Sequence, residues 1–135
     1  TEETMVPDDS LTIRDRAIAT LEQAGHEVDL LDLYGEGFDP VLSAAERRGY
    51  HTPGENEKPV ECHLARLRAC EGLLFVYPTW WYGLPALLKG WLDRVLLPEV
   101  AFEMPKAEGE TIRPGLTHVT RLGVFTTCGA SRPPR

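Results

Sequence analysis

The sequence predicts an α/β fold, a three-layer sandwich arranged around a parallel β-sheet. Three observations lead there. Leu73-Leu74-Phe75-Val76-Tyr77 is apolar without alternation, the pattern of a strand covered on both faces. Stretches with helical spacing alternate with strand candidates in the order α, β, α, β, α, β. Strands joined this way run parallel, because each connection is a right-handed helical crossover. At 135 residues, 42% hydrophobic and 26% charged, the chain reads as a single domain, residues 1–135, with enough length to bury a core without disulfides or structural metal.

The first helix spans Leu11 to Ala24, with Ala17, Ile18, Leu21 and Ala24 on one face, Asp9 or Ser10 as N-cap and Gly25 as the C-terminal stop. His26 to Leu33 reads as a short strand in which Val28 and Leu30 alternate with acids before Leu31 and Leu33 shift the phase; Gly35, Gly37 and Pro40 break it. Ser43-Ala44-Ala45-Glu46 is a capping-box pattern that opens a short helix, and the Gly, Pro and charge of Gly49 to Pro59 predict a mobile loop. Pro59 suits a first helical position, after which Val60, Leu64 and Leu67 recur at helical spacing as far as Cys70. The apolar strand that follows is expected to be the most buried element, and Pro78 stops it. Pro85 then opens a helix with a broad stripe of Leu88, Trp91, Leu92, Val95 and Leu96, ended by Pro98. Glu99 to Pro114 is irregular, and Thr120 to Thr127 forms the last strand around Leu122, Val124 and Phe125.

Charge narrows the function. Fourteen Lys and Arg against twenty-one Asp and Glu leave a net charge of −7, the wrong sign for a nucleic-acid groove or an anionic membrane face. No apolar run approaches the ~20 residues of a membrane span, and Thr1-Glu2-Glu3-Thr4 is acidic where a signal peptide is basic, so a cytoplasmic protein is expected. Cys62, Cys70 and Cys128 show neither C-x-x-C nor zinc spacing, and His26, His51, His63 and His118 are scattered; a metal site is not expected.

In open parallel sheets ligands sit beyond the C-terminal ends of the strands. Pro78-Thr79-Trp80-Trp81-Tyr82-Gly83-Leu84-Pro85 places three adjacent aromatics there, a π surface suited to a planar ligand, with Gly83 and backbone amides available for polar ring edges. The same rings equally suit a cap on the sandwich edge or a subunit interface. Thr126-Thr127-Cys128-Gly129-Ala130-Ser131 offers hydroxyls and a glycine turn after the last strand, either a cradle for a ligand or an ordinary strand-ending turn. Ser10 and Thr12 at the head of the first helix suit a phosphate, although simple capping explains Ser10 as well. Cys128 lies in a ligand-facing loop, but no base adjoins it in sequence and a nucleophilic role is not assigned. Arg47-Arg48 and the acids at 55–61 read as solvated surface.

From Phe75 to Val95 the chain resembles the flavodoxin-like NAD(P)H:quinone oxidoreductases, the group that includes DT-diaphorase and the bacterial drug-modulator reductases. The run Tyr77-Pro78-Thr79-Trp80-Trp81-Tyr82-Gly83-Leu84-Pro85-Ala86-Leu87-Leu88-Lys89-Gly90-Trp91-Leu92-Asp93-Arg94-Val95 is similar to the family's third-strand loop and following helix, and Thr126-Thr127-Cys128-Gly129 to its fourth-strand loop. The resemblance implies bound FAD or FMN. Pro78, Thr79, Trp80, Trp81, Tyr82 and Gly83 would line the isoalloxazine, and Thr126, Thr127 and Gly129 would hold the ring edge and ribityl side. It further implies hydride transfer from NAD(P)H through the flavin to a quinone or similar planar acceptor, and a homodimer. The alternative is a flavodoxin-like regulatory or interaction subunit whose aromatic loop serves a partner.

Two departures from the family pattern set further expectations. Asp9-Ser10-Leu11-Thr12 matches the end of the family's phosphate loop, but Met5 stands where its His is counted and Thr1-Glu2-Glu3-Thr4 is unlike its buried first strand. The chain also stops before the family's fifth strand and last helix. The expected sheet therefore lacks its first, central strand and its fifth, activity is expected to suffer from the truncation, and no catalytic residue is assigned.

Overall fold

The structure, a computed structural model, describes residues 9–129, apart from the side chain of Asp9. Met5, Ala130 and Ser131 fall outside that range. The elements are α1 (Asp9–Gln23), α2 (Ala44–Gly49), α3 (Glu61–Ala69), β1 (Gly72–Pro78), α4 (Ala86–Val95), β2 (Phe102–Glu103), β3 (Arg113–Pro114) and β4 (Arg121–Thr127), with a 3-10 turn at Lys58–Val60 leading into α3. They divide into two compact units: one holds residues 9–30, Leu74–Pro85 and residues 123–129, the other Leu31–Leu73 and Ala86–Leu122.

In the first unit α1 begins earlier than the spacing suggests. Asp9 and Ser10 are already helical, so neither is the N-cap, which by definition keeps non-helical backbone outside the first turn. Ile13, Ala17, Ile18 and Leu21 make its half-buried face, while Ala24 lies past the end and is exposed. The stop at Gly25 has a clear cause. Gly25, at φ +86°, donates to the Glu22 carbonyl at 2.9 Å and His26 donates to that of Leu21 at 3.0 Å, the paired bonds of a Schellman motif.

β1 and β4 form a two-stranded sheet. Thr120 N donates to Glu71 O at 2.9 Å at one end and Thr79 N to Thr127 O at 2.8 Å at the other, so both strands advance in the same direction and the pair is parallel, as expected. Two expectations fail here. Among the described residues His26–Leu33 forms no strand; the ladders there are β1 with β4 and β2 with β3. Nor is β1 the most buried element: it is at best half-buried, and Leu122, Val124 and Phe125 on β4 are 71, 51 and 48% exposed. A run apolar on both faces needs layers on both faces, and the described residues do not cover these two strands.

Among the described residues the buried apolar core belongs to the second unit. Val60, Leu64 and Leu67, from the 3-10 turn and α3, are buried together with Trp91, Val95, Leu97 and Val100 from α4 and the segment after it. Each fully buried side chain of this size contributes roughly 1.5–3 kcal/mol. The predicted capping box is present at α2: Ser43 Oγ accepts from Glu46 N at 3.2 Å and Glu46 Oε2 accepts from Ser43 N at 2.9 Å. The other carboxylate oxygen of Glu46 reaches α4, accepting from Arg94 Nε at 2.8 Å and Nη2 at 2.7 Å. Arg94 also donates to the Asp39 carbonyl and lies 5.2 Å from the centroid of the Phe38 ring. Close approach on α4 demands glycine, because a Cβ on Gly90 would sit 2.3 Å from the Pro40 carbonyl oxygen.

The predicted loop from Gly49 to Pro59 is anchored rather than free. Asn56 is buried, and its Nδ2 donates to the carbonyls of Tyr50 at 3.1 Å and Pro98 at 3.3 Å. Within the stretch read as irregular, β2 and β3 pair antiparallel, with Phe102 opposite Pro114 and Glu103 opposite Arg113.

Candidate functional site

Parallel pairing brings the C-terminal ends of β1 and β4 side by side, and Thr79 joins the two loops that leave them. Besides its backbone bond to Thr127, its Oγ1 lies 2.6 Å from Thr126 Oγ1, and Cys128 Sγ lies 3.7 Å from the same hydroxyl. Residues separated by 47 positions thus share one hydrogen-bonded platform, to which Pro78 leads from β1. Gly129 ends it, and among the described residues nothing lies within 4 Å of where a Cβ on it would stand.

Directly after Thr79 the chain folds back in a two-residue turn. Trp80 N donates to Gly83 O at 3.1 Å and Gly83 N to Trp80 O at 2.9 Å, with Trp81 and Tyr82 at the turn's centre. Both central residues have positive φ, 47° and 61°, the pattern of a type I′ turn usually occupied by Asn-Gly. The aromatic rings point to solvent: Trp80, Trp81 and Tyr82 are 62, 94 and 100% exposed. Buried Pro85 then leads into α4. The arrangement puts exposed aromatic surface directly after the hydroxyl platform in the chain, so it offers groups for both stacking and hydrogen bonding.

Pro78, Thr79, Trp80, Trp81, Tyr82, Gly83, Thr126, Thr127 and Gly129 all lie in the first unit. Ser10 and Thr12 share that unit but not the expected role at a helix cap. Ser10 is buried inside the first turn of α1, which leaves Thr12, exposed, as the hydroxyl open to a ligand. Sequence reasoning placed the two strand-end loops together through topology, but missed the Thr79 joint and the left-handed turn. Nothing in Trp81-Tyr82 signals positive φ, because bulky residues disfavour it.

The remaining chemistry-bearing residues are structural or solvated. His63 Nδ1 accepts from Trp91 Nε1 at 3.4 Å and its ring meets Phe38 edge-on at 4.9 Å; burial pushes its pKa below the ordinary value, against the pull of Glu36. His118 Nε2 lies 3.0 Å from the Leu67 carbonyl. Among the described residues no group of three or more His, Cys, Asp or Glu could hold a metal ion, and no helix is long and apolar enough to cross a membrane. Two open clefts, of about 440 and 370 Å³, belong to the second unit; Leu42, Tyr50 and Leu92 line the larger, Ser43, Glu55 and Asn56 the smaller.

A profile of the flavodoxin-like fold matches residues 6–134. The rat NAD(P)H dehydrogenase (quinone) 1 is 33% identical over 106 residues, covering 67% of this chain and 39% of the rat protein. An uncharacterized NAD(P)H oxidoreductase of Haemophilus influenzae is 36% identical over 121 residues, covering 86% of this chain and 57% of that protein. A crystal structure of a Streptococcus mutans protein superposes with a TM-score of 0.59 at 35% identity, over 75% of this chain and 51% of that one. The chain spans about half the length of these relatives. With the profile running nearly end to end, over helices and a parallel strand pair that delivers its C-terminal loops to one place, this chain belongs to the flavodoxin-like fold family.

Proposed function

We propose that residues 1–135 are part of a single flavodoxin-like domain that binds FMN or FAD and serves an NAD(P)H:quinone oxidoreductase. The observation that carries this reading is the Thr79–Thr126 joint, which sets three exposed aromatic rings beside a hydroxyl-lined strand end. That donor set fits a flavin, whose flat apolar ring system carries polar atoms on its edges. Trp80, Trp81 and Tyr82 would stack on the ring system, with Pro78, Thr79 and Gly83 completing that wall; Thr126, Thr127 and Gly129 would meet the ring edge and ribityl chain. Thr12 is the hydroxyl available toward a phosphate, at the end of α1 where the helix dipole favours negative charge.

When bound, the flavin supplies two-electron hydride transfer from NAD(P)H to a quinone or similar planar acceptor. The chain's own part is to present stacking surface and to orient the ring edge through the hydroxyl platform. The names of the rat and Haemophilus influenzae relatives support an NAD(P)H-linked oxidoreductase of this kind. A cytoplasmic homodimer is part of the same proposal.

The test is direct. Purified protein mixed with FMN or FAD should retain flavin absorbance after gel filtration, and NAD(P)H oxidation should rise on adding a quinone. Colourless protein with either flavin would overturn the reading. A second reading, a non-catalytic interaction subunit, is favoured by the exposed Leu122, Val124 and Phe125 of β4, and predicts a stable, colourless hetero-complex instead.

A further inference from the structure

We propose that the Trp81–Tyr82 turn is a strained clamp, in which two bulky residues are held in the left-handed region at the expense of the free chain's stability so that their rings stand ready for a planar aromatic ligand. The ligand half of the proposal rests on the flavin reading above; the strain half does not. An L-residue resists positive φ because its Cβ crowds the carbonyl oxygen, and Gly, Asn and Asp are the residues that tolerate it. A two-residue hairpin turn of this hand requires positive φ at both centres, and here they are Trp81 at 47° and Tyr82 at 61°.

The ends of the turn leave little choice. Trp80 and Gly83 exchange both backbone bonds, and Thr79, immediately before them, is bonded to Thr126 and Thr127. Strain of this kind persists in proteins when side-chain packing offsets it, yet Trp81 and Tyr82 are 94 and 100% exposed and touch little that could do so. Asn-Gly would close the same turn without strain. What Trp-Tyr adds is exposed ring surface on a turn whose backbone is held at both ends. A planar π-ligand that stacks on those rings supplies the missing contact, so the turn is shaped in advance and binding needs no reordering.

Glycine and alanine at the same position separate the two halves. In the full chain, Trp81→Gly and Trp81→Ala both remove the ring, as do Tyr82→Gly and Tyr82→Ala, but only glycine removes the strain. Urea unfolding without ligand, followed by far-UV circular dichroism, should give each glycine variant a folded-to-unfolded ratio about three- to tenfold above its alanine counterpart. FMN titration followed by quenching of flavin fluorescence should show all four variants binding at least about tenfold more weakly than the native chain, with Trp81→Phe close to native. Glycine variants no more stable than alanine variants would overturn the strain. Native-like FMN affinity in the ring-deleted variants would overturn the clamp. If the native chain binds neither FMN nor FAD, the flavin reading and the ligand half fall together, while the glycine–alanine comparison still decides whether the turn is strained.

Discussion

Replacing Arg94 by methionine should destabilise the protein by about 3–5 kcal/mol, a large share of the roughly 5–15 kcal/mol that holds a domain of this kind folded. The side chains of Arg94 and Glu46 are only 11 and 13% exposed, so neither charge is well hydrated once its partner is gone. Arg94 makes two contacts to one Glu46 oxygen, at 2.7 and 2.8 Å, and adds the Asp39 carbonyl and the Phe38 ring. Methionine keeps much of the apolar stem and loses all four interactions. It also leaves Glu46 with a desolvated carboxylate stabilised by the Ser43 amide, which donates to Oε2 at 2.9 Å, and by the Ser43 side chain. Glu46→Gln should cost less, about 1–3 kcal/mol, because the amide keeps an acceptor for the guanidinium while surrendering the charge. Equilibrium urea unfolding of both single variants and the double variant gives the coupling energy, read from Trp91, whose indole is buried while those of Trp80 and Trp81 are exposed. A coupling below about 0.5 kcal/mol would mean that the pair behaves like a solvated surface bridge, and the argument from burial would fail.

Gly90→Ala should destabilise by more than about 2 kcal/mol even though alanine is ordinarily favoured inside a helix by about 1 kcal/mol, because the new methyl meets Pro40 backbone; a urea midpoint at or above native would refute this. Burial holds the His63 pKa below 6.5, so the unfolded chain takes up a proton first as pH falls: stability from this group is complete above about 6.5 and declines below it, and His63→Phe should flatten that part of the pH profile. For Glu46 burial pushes the pKa up, but the Ser43 hydroxyl, the Ser43 amide and Arg94 together bring it below the ordinary 4.5; its stabilisation is therefore present above 4.5 and lost as pH falls through the lower folded value, a loss that Glu46→Gln should abolish in acid titrations. Thr126→Val removes the hydroxyl contact with Thr79 and should cost about 1 kcal/mol in urea while weakening FMN binding; an unchanged FMN titration would separate the joint from the ligand site.

What the sequence made legible is what neighbours along the chain decide. Gly25 stops α1 through bonds that reach back no further than Leu21, and Ser43 and Glu46 cap α2 through bonds spanning three residues. Pro59 and Pro85 mark the starts of helices for equally local reasons, a fixed φ and no N–H to satisfy. Strands are different in kind. The alternation in His26–Leu33 is a statement about faces, whereas a strand needs another backbone at hydrogen-bonding distance, and the sequence of the segment carries no information about whether one is there. The same holds for β1: an apolar run says that the strand is suited to cover on both sides, and cover itself is a property of other layers. The C-terminal stop of α1, the capping box of α2 and the proline-led starts of α3 and α4 are therefore legible in the sequence, whereas the start of α1 is not, and neither is the placement of the core, which among the described residues lies in the turn before α3, α3, α4 and the segment after α4.

The site obeys the same division, with one instructive exception. That the loops after β1 and β4 meet follows from parallel topology, so the gathering of Thr79 with Thr126 and Thr127 was within reach of the sequence even though 47 residues separate the two hydroxyls. The turn between Trp80 and Gly83 is local, yet it was not legible, because here local preference and observed conformation disagree. Consistency between levels is the ordinary condition of a folded sequence, and disagreement concentrates where a chain is shaped for something besides its own stability. Trp81 and Tyr82 violate two local rules together, since they are bulky residues at positive φ and large aromatic rings left in water. Either departure alone has bland explanations: an exposed ring is common, and a single left-handed residue closes many turns. Their coincidence on a loop bonded to the end of a parallel strand pair is what directs attention to a flat ligand there, independently of any relative's name.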